Sequence, residues 1–233
     1  MNKENFIKEL EKLKINITAE MLSNLNTYYS LLIEENKKYN LTAITEEPLV
    51  YLKHFYDSLS IVRIINLDNQ KLLDIGTGAG FPGLVLKIVF PNLKIDLLDS
   101  TNKKCLFLQK VIDELNLKDI NVINARAEEY AKDNREIYDI VTSRAVAPLK
   151  HLLEYSIPLL KINGQFISLK SNIEEELKNI KNYYNKLFLE EENIVKYELP
   201  YECSLRTLYK VTKKSKTPLL YPRIYSQIKK KDI

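Results

Sequence analysis

One short stretch of the sequence combines a carboxylate with closely spaced glycines. Asp74 ends an apolar run, and the glycines begin two residues later. The protein has five glycines, and four of them lie within eight residues: Gly76, Gly78, Gly80 and Gly83. Such clusters occur where a backbone turns sharply or lies flush against a ligand. With the apolar segment that follows, the stretch predicts a strand, a glycine turn and a helix that together bind a small molecule.

A second carboxylate, Asp99, closes the next apolar run, 23 residues after Gly76. A carboxylate there can accept hydrogen bonds from both ribose hydroxyls of an adenosine, which NAD(P) and S-adenosylmethionine both carry. A dinucleotide fingerprint starting at Gly76 would need glycine at position 81, where the sequence has Phe81. The spacing D-x-G-x-G-x-G from Asp74 instead matches class I S-adenosylmethionine-dependent methyltransferases. A formal G-x-G-x-x-G match over 78–83 keeps the NAD(P) oxidoreductase alternative open.

The segment after the fourth predicted strand bears on what would be methylated. It reads Thr142-Ser143-Arg144-Ala145-Val146-Ala147-Pro148, without the [D/N]-P-P-[Y/F/W] tetrapeptide typical of adenine N6 methylation. No cysteine lies there to act as the nucleophile that cytosine C5 methylation needs. A ring nitrogen such as guanine N7 has an in-plane lone pair and no proton to remove. A site with Arg144 and no general base is compatible with that acceptor, although Arg144 could equally be a salt-bridged structural residue.

The elements that must position these residues follow from the periodicity of the chain. Residues 3–40 and 48–65 have helical spacing, and Thr18 is a candidate N-cap. Strands are predicted over 71–75, 94–98, 120–123, 137–142 and 165–169, and they alternate with helices over 81–90, 101–115, 127–132 and 148–161. A helix over 171–185 precedes two antiparallel strands, 186–199 and 204–212. Alternating strands and helices predict a parallel sheet covered on both faces, with ligands at the carboxyl ends of the strands.

Composition narrows the functional class further. The chain of 233 residues is 45% apolar and 28% charged, which is typical of a globular protein with one main core. No stretch has the roughly 20 uncharged apolar residues of a membrane span, and the N-terminus lacks the apolar centre of a signal peptide. We therefore expect a cytoplasmic protein. Two cysteines without metal-type spacing and two histidines, His54 and His151, predict no metal site.

The charge is unevenly distributed. Nine of the 35 basic residues lie in the stretch from Arg206 to Lys231, and this stretch contains no acidic residue. The remainder of the chain carries more acidic than basic residues. A mildly acidic body with a basic C-terminal stretch predicts a polyanionic partner, and a solvated lysine-rich tail is the alternative interpretation.

Several motifs together make the sequence resemble a known family, RsmG (GidB), the bacterial methyltransferases that act on guanine N7 of 16S ribosomal RNA. The motifs are Asn40-Leu41-Thr42-Ala43-Ile44, His54-Phe55-x-Asp57-Ser58-Leu59, Leu73 to Gly83, Leu98-Asp99-Ser100, Ala125-Arg126-Ala127-Glu128, Ser143-Arg144-Ala145 and Tyr221-Pro222-Arg223. The resemblance covers nearly the whole chain. It departs from the family at the end, where residues 224–228 replace a segment that often contains glycine and proline.

The resemblance implies a fold: an α/β, Rossmann-like class I methyltransferase with a mostly parallel seven-stranded sheet, helices on both faces and an antiparallel last strand pair. We expect residues 1–66 to form a helical lobe packed on this core, and residues 67–233 to form the methyltransferase domain with its basic tail, as one structural unit. It also implies S-adenosylmethionine as cofactor, 16S ribosomal RNA or the 30S subunit as partner, and no membrane. We expect a monomer.

The resemblance implies roles for individual residues as well. Gly76 and Phe81 would line the cofactor, Asp99 would hold the ribose, and Ala127 and Glu128 would flank the adenine. Asp74, Gly78 and Gly80 would complete the cofactor loop, and Arg144 would lie at the pocket mouth. His54, Asp57 and Ser58 become candidates for the substrate side, and the basic stretch becomes a contact to RNA phosphates. A different methyl acceptor and a non-catalytic RNA-binding protein with a vestigial pocket remain alternatives.

Overall fold

The structure, a computed structural model, describes residues 1–144 and 146–233. Ala145, the last residue of the Ser143-Arg144-Ala145 motif, lies outside the described residues. The strands within this part of the chain are β1 (Lys71–Ile75), β2 (Lys94–Asp99), β3 (Ile120–Asn124), β4 (Tyr138–Arg144), β5 (Leu160–Lys170), β6 (Leu189–Glu198) and β7 (Leu205–Lys213).

The strands form a seven-stranded sheet in the order β3-β2-β1-β4-β5-β7-β6. The first five strands in this order pair in parallel, whereas β7 pairs antiparallel with both β5 and β6. The predicted α/β class and the antiparallel last pair are therefore confirmed. Because β1 lies between β2 and β4, the carboxyl ends of these strands bring the glycine turn, Asp99 and Arg144 to one edge of the sheet.

Helices cover both faces of the sheet. They are α1 (Lys3–Lys12), α2 (Ala19–Tyr39), α3 (Glu47–Val50), α4 (Asp57–Leu59), α5 (Gly83–Val89), α6 (Asn102–Glu114), α7 (Ala127–Asp133), α8 (Leu149–Ser156), α9 (Glu174–Lys178), α10 (Lys181–Leu187) and α11 (Tyr225–Lys230). None of the helices in the described part of the chain combines the length and the apolar character that a membrane span requires.

The buried apolar side chains form two clusters, one on each face of the sheet. Adjacent residues of a strand point to opposite faces, and in β1 Leu72 belongs to one cluster while Leu73 belongs to the other. The N-terminal helices, α5 and α6 pack in the cluster of Leu72. Helices α7, α8 and α10 pack in the cluster of Leu73. The N-terminal helices thus share a core with the sheet.

The helix predicted over 48–65 is present but irregular. Helix α3 passes into a π-helix over Tyr51–Tyr56, then α4, and then a 3-10 turn over Ser60–Arg63. A π-helix is wider than an α-helix and occurs mostly as a single turn, often at a functional site. This one carries His54.

Two other predicted helices differ in length from those of the structure. The helix predicted over 148–161 ends as an α-helix at Ser156, and β5 already begins at Leu160, which pairs with Tyr138 of β4. The helix predicted over 171–185 is divided into α9 and α10. In both cases long-range pairing and packing override local spacing.

Outside the glycine turn, the residues with a left-handed backbone conformation are not glycines. Thr18 caps α2 as predicted, accepting a hydrogen bond from the Met21 amide at 3.2 Å, and Asn40 ends that helix with φ 50°. Phe188, with φ 55°, ends α10. Among the described residues nine non-glycine positions have positive φ, against three glycines, all in the turn after β1.

Candidate active site

A cavity of about 470 Å³ opens at the carboxyl ends of β1, β2 and β4. This volume falls within the roughly 300–1,000 Å³ of small-molecule sites. Five residues that the sequence predicts for the site line it: Gly76, Asp99, Ala127, Glu128 and Arg144. Two cavities of about 540 and 710 Å³ lie at the opposite edge, beside Arg63, and include none of the predicted residues. The smaller cavity is therefore identified as the candidate site by its lining residues and not by its volume.

Gly76 is the glycine that touches the cavity. Its φ is +66°, and a Cβ built there would lie 2.6 Å from Cγ2 of Val146, which also lines the cavity. A side chain would thus both strain the backbone and fill the wall. Gly78 has φ +62°, but a Cβ at that position would have its nearest neighbouring heavy atom 3.9 Å away. Glycine is therefore favoured there by the backbone conformation and not by a lack of space.

Asp74 holds the glycine turn from behind rather than lining the cavity. Its Oδ2 accepts hydrogen bonds from the Gly83 amide at 2.8 Å and from the Thr77 hydroxyl at 2.6 Å. The side chain is fully buried, and Oδ1 has no hydrogen-bond partner among the described residues. Burial raises the pKa of Asp74 to about 6, although both hydrogen bonds oppose that shift.

Asp99 presents its carboxylate to the cavity in a fixed orientation. Oδ2 accepts a hydrogen bond from the Gly78 amide at 3.0 Å, and Oδ1 accepts one from the Thr101 amide at 2.8 Å. Nζ of Lys104 lies 3.6 Å from Oδ2. Each carboxylate oxygen has two lone pairs, so Asp99 can still accept hydrogen bonds from a vicinal diol.

Arg144 links the cavity to the N-terminal helices. Its Nη1 donates to the Lys53 carbonyl at 3.0 Å and lies 3.3 Å from Oδ2 of Asp57. Its Nη2 lies 3.2 Å from Nδ1 of His54, whose Nε2 is 2.9 Å from the Thr42 hydroxyl. An arginine only donates, so Nδ1 accepts and the histidine proton is on Nε2.

His54 is neutral in this arrangement. Burial, together with the adjacent Arg144 charge, lowers its pKa to about 3. Its ring stacks on Phe81 with centroids 4.3 Å apart and planes at 18°, and the Arg144 guanidinium lies 5.0 Å from the Phe81 ring centroid. Phe81 therefore supports the Arg144 and His54 side chains instead of lining the cavity.

The remaining predicted residues lie outside the cavity lining. Gly80 has φ +105°, and a Cβ there would meet Leu84 and Tyr28 at 2.5 and 2.6 Å. Asp57 is buried, and its Oδ1 accepts from the Tyr197 hydroxyl at 3.0 Å and lies 3.3 Å from Nε of Arg206. Ser58 is fully buried, and its hydroxyl has no hydrogen-bond partner in the described part of the chain.

The cavity is also lined by residues to which the sequence analysis assigns no role at the site. Among these lining residues are Lys104, Arg126, Val146, Tyr155 and Tyr225. Lys104 could have been found, because it follows Asp99 within the first turn of the next predicted helix. Tyr155 and Tyr225 lie on α8 and α11 with no local motif, and only the tertiary fold brings them to the cavity.

Part of the positive charge of the basic stretch is paired inside the protein. Several of its charges are used within the protein: Arg206 pairs with Asp57, Nζ of Lys213 lies 3.2 Å from Oε1 of Glu136, and Arg223 pairs with Glu154 at 2.7 Å. Lysines at 216 and 229–231 are exposed. The exposed positive charge of the basic stretch is therefore smaller than its sequence indicates.

The sheet order, the glycine turn after β1 and the carboxylate at the end of β2 define a class I S-adenosylmethionine-dependent methyltransferase fold. A solved structure with this fold, the tRNA (m1A58) methyltransferase TrmI from Aquifex aeolicus, is similar with a TM-score of 0.53 and 17% identity, over 68% of each chain. At that identity the similarity shows the fold alone.

Sequence comparisons identify the family. The family model GidB, described as rRNA small subunit methyltransferase G, matches residues 21–203. The chain is 48% identical to ribosomal RNA small subunit methyltransferase G from Mycoplasma capricolum, over 92% of each sequence. It is 49% identical to the protein of the same name from Mesoplasma florum, over 91% of this chain and 90% of that one. The chain belongs to the rRNA small subunit methyltransferase G family, as the sequence motifs predict.

Proposed function

We propose that the protein transfers a methyl group from S-adenosylmethionine to N7 of a guanine in 16S ribosomal RNA. The observation that carries the proposal is the position of Arg144, which lines the cofactor cavity while His54 and Asp57 hold its guanidinium. The family relationship supports the reaction, and the chemistry of guanine N7 supports the acceptor atom.

The residues of the cavity suit S-adenosylmethionine. Asp99 accepts hydrogen bonds from the ribose hydroxyls, and Gly76 lets the backbone approach the ligand because a side chain there would meet Val146. Ala127 and Glu128 flank the adenine. Four predicted residues contribute without lining the cavity. The glycine turn is stabilised by Asp74 and contains Gly78 and Gly80, and the Arg144 side chain packs on Phe81.

The bound cofactor supplies a methyl group that is already activated on a sulfonium. The protein then has to align the guanine and exclude water, because N7 carries no proton for a base to remove. His54 fits this requirement, since it is neutral and its Nδ1 accepts from Arg144 instead of facing a substrate. Arg144 is the positioning residue of the site, and its guanidinium can donate to a guanine oxygen.

The proposal extends to the setting of the reaction. The substrate is 16S ribosomal RNA, free or within the 30S subunit, and the protein acts as a monomer in the cytoplasm. Residues 1–66 act as a lobe that braces Arg144, and residues 67–233 form the catalytic domain. The exposed lysines of the C-terminal segment contact RNA phosphates, so binding weakens as the salt concentration rises.

The test is transfer of a tritiated methyl group to purified 30S subunits and to free 16S RNA, both from a strain lacking the endogenous activity. The product is mapped by strand cleavage specific for N7-methylguanine. A single cleavage in the small-subunit RNA is the expected result, and comparison of the two substrates identifies the preferred form. Cofactor binding without transfer to either substrate would contradict the proposed acceptor, and cleavage at a different base would replace it.

A further inference from the structure

We propose that Tyr225 is a cofactor-binding residue whose ring covers the adenine of S-adenosylmethionine, and that the C-terminal segment 217–230 is the strap that holds it there. The inference rests on the proposed function, because it assigns a further wall to the same cavity. It concerns a segment that lies beyond residues 21–203, the part of the chain that the family model matches.

The first observation is the position of the Tyr225 side chain. It lines the cavity together with Tyr155 and Arg126, although it lies 81 residues beyond Arg144 in the sequence. The Arg126 guanidinium lies 5.9 Å from the centroid of the Tyr225 ring. Tyr225 remains 45% exposed, so part of its ring is still available to a ligand.

The second observation is that the strap is anchored on both sides of Tyr225. Before it, Arg223 donates to Glu154 through its amide, Nε and Nη2 at 3.0, 2.7 and 2.7 Å. After it, Ile228 is 1% exposed and packs in the core cluster that includes α8.

Earlier in the strap, Arg135 provides a third anchor. Its Nη1 donates to the Tyr221 carbonyl and its Nη2 donates to the Thr217 carbonyl, each at 2.6 Å. These contacts use backbone carbonyls and a buried carboxylate, so they position the strap independently of any ligand. The ring of Tyr225 is therefore held at the cavity before a ligand binds, which limits the ordering cost of binding.

The assignment to adenine follows from the neighbours of Tyr225. Its contact Arg126 immediately precedes Ala127 and Glu128, which we place beside the adenine. A heteroaromatic base stacks well on a tyrosine ring, and such stacking tolerates different substituents because it uses the face of the base. The adjacent Arg126 charge lies near the same ring, as in a cation–π pair.

The test measures binding of S-adenosylhomocysteine and of adenosine by calorimetry, without RNA. Tyr225→Ala should weaken both ligands by roughly tenfold, the size of one base–aromatic stack, whereas Tyr225→Phe should bind like the wild type. Ser226→Ala, an exposed neighbour on the same helix, is the matched control and should change nothing. Thermal unfolding without ligand should be the same for all four proteins, since Tyr225 is half exposed.

Each outcome separates this inference from the proposed function. If the wild type binds S-adenosylhomocysteine and Tyr225→Ala binds it equally well, the role of Tyr225 is wrong and the proposed function stands. If Tyr225→Ala loses RNA affinity but keeps cofactor affinity, the ring contacts the substrate and the inference is also wrong. If the wild type binds neither ligand, the proposed function itself fails. An equal loss of both ligands in Tyr225→Ala supports the inference, because adenosine lacks the methionine part.

Discussion

The Nη2 atom of Arg144 lies 3.2 Å from Nδ1 of His54, and this contact joins the end of β4 to the π-helix over Tyr51–Tyr56. The two residues are 90 positions apart in the sequence. Because the same guanidinium also contacts the Lys53 carbonyl and Asp57, its direction at the cavity is set by the N-terminal helical segment as well as by β4.

Replacing Arg144 with lysine should impair catalysis strongly. A single ammonium cannot reproduce the planar set of donors that reaches His54, Asp57 and the Lys53 carbonyl together. We expect kcat/KM for methyl transfer to fall by about 100-fold, a loss of roughly 2.7 kcal/mol in transition-state stabilisation. The matched control is Arg63→Lys, which alters an arginine held by Tyr56 away from the cavity. Unchanged kinetics for Arg144→Lys would contradict a role for Arg144 in positioning the substrate.

His54 should make the protein less stable as the pH falls. Its pKa is about 3 in the folded protein, below the roughly 6.5 of an unfolded chain, so the unfolded state takes up the proton first. Its contribution is complete above pH 6.5 and decreases at lower pH, by about 2 kcal/mol at pH 5. Urea unfolding at pH 7 and pH 5 measures this loss, and His54→Gln should lack it.

Two features of the protein bear on the interpretation of that experiment. Asp74 acts with the opposite sign, because its pKa is raised to about 6 and its protonation favours the folded state as the pH falls. The comparison is therefore the difference in pH dependence between wild type and His54→Gln, in which the Asp74 contribution cancels. Burial also lowers the pKa of His151, so His151→Gln measures how much of the pH dependence comes from a histidine away from the cavity. An identical pH dependence in wild type and His54→Gln would show that His54 is protonated without cost.

Gly76→Ala and Gly78→Ala form a matched pair. Both positions have positive φ, so alanine should cost about 1–2 kcal/mol of stability at either one. Only at Gly76 would the new Cβ also meet Val146, at 2.6 Å, and displace a wall of the cavity. We expect Gly76→Ala to weaken S-adenosylhomocysteine at least tenfold more than Gly78→Ala does, as measured by calorimetry. Equal affinities in the two variants would mean that this wall does not touch the cofactor.

Arg223→Ala should destabilise the fold, because it leaves the Glu154 carboxylate, which is 0% exposed, without its charged partner. Breaking a buried ion pair from one side costs about 3–5 kcal/mol, and urea unfolding measures it. The double variant Glu154→Gln with Arg223→Met should recover much of this loss. Lys150→Met, at a more exposed ion pair with Asp232, should cost less than about 1 kcal/mol. A small effect of Arg223→Ala would indicate that water reaches Glu154.

The parts of the site that sequence reasoning located are local in the chain. The glycine turn directly follows β1 and Asp99 is the last residue of β2, so residue spacing alone indicates their place at the sheet edge. The parallel sheet order follows from the same alternation of strands and helices. Family membership, fold and cofactor class were predicted from these motifs and are confirmed.

What the sequence did not reveal depends on distant partners. The charges of the basic stretch look free in the sequence, but Arg206, Lys213 and Arg223 pair with Asp57, Glu136 and Glu154 from other elements. The π-helix around His54 has no signature in residue spacing. Asp74 likewise reads as a ligand-facing acid, whereas its observed hydrogen bonds go to the turn itself.

The distribution of glycine leaves a position at which the stability of the protein can be increased. Glycines are concentrated at the turn that a ligand approaches, while Phe188 adopts φ 55° at the end of α10. An L side chain in that conformation costs roughly 1–2 kcal/mol, and the phenylalanine is 43% exposed. Phe188→Gly should therefore raise the thermal stability of the protein at a position that does not line the cavity. A more stable protein would be better suited to structural studies of its complex with RNA.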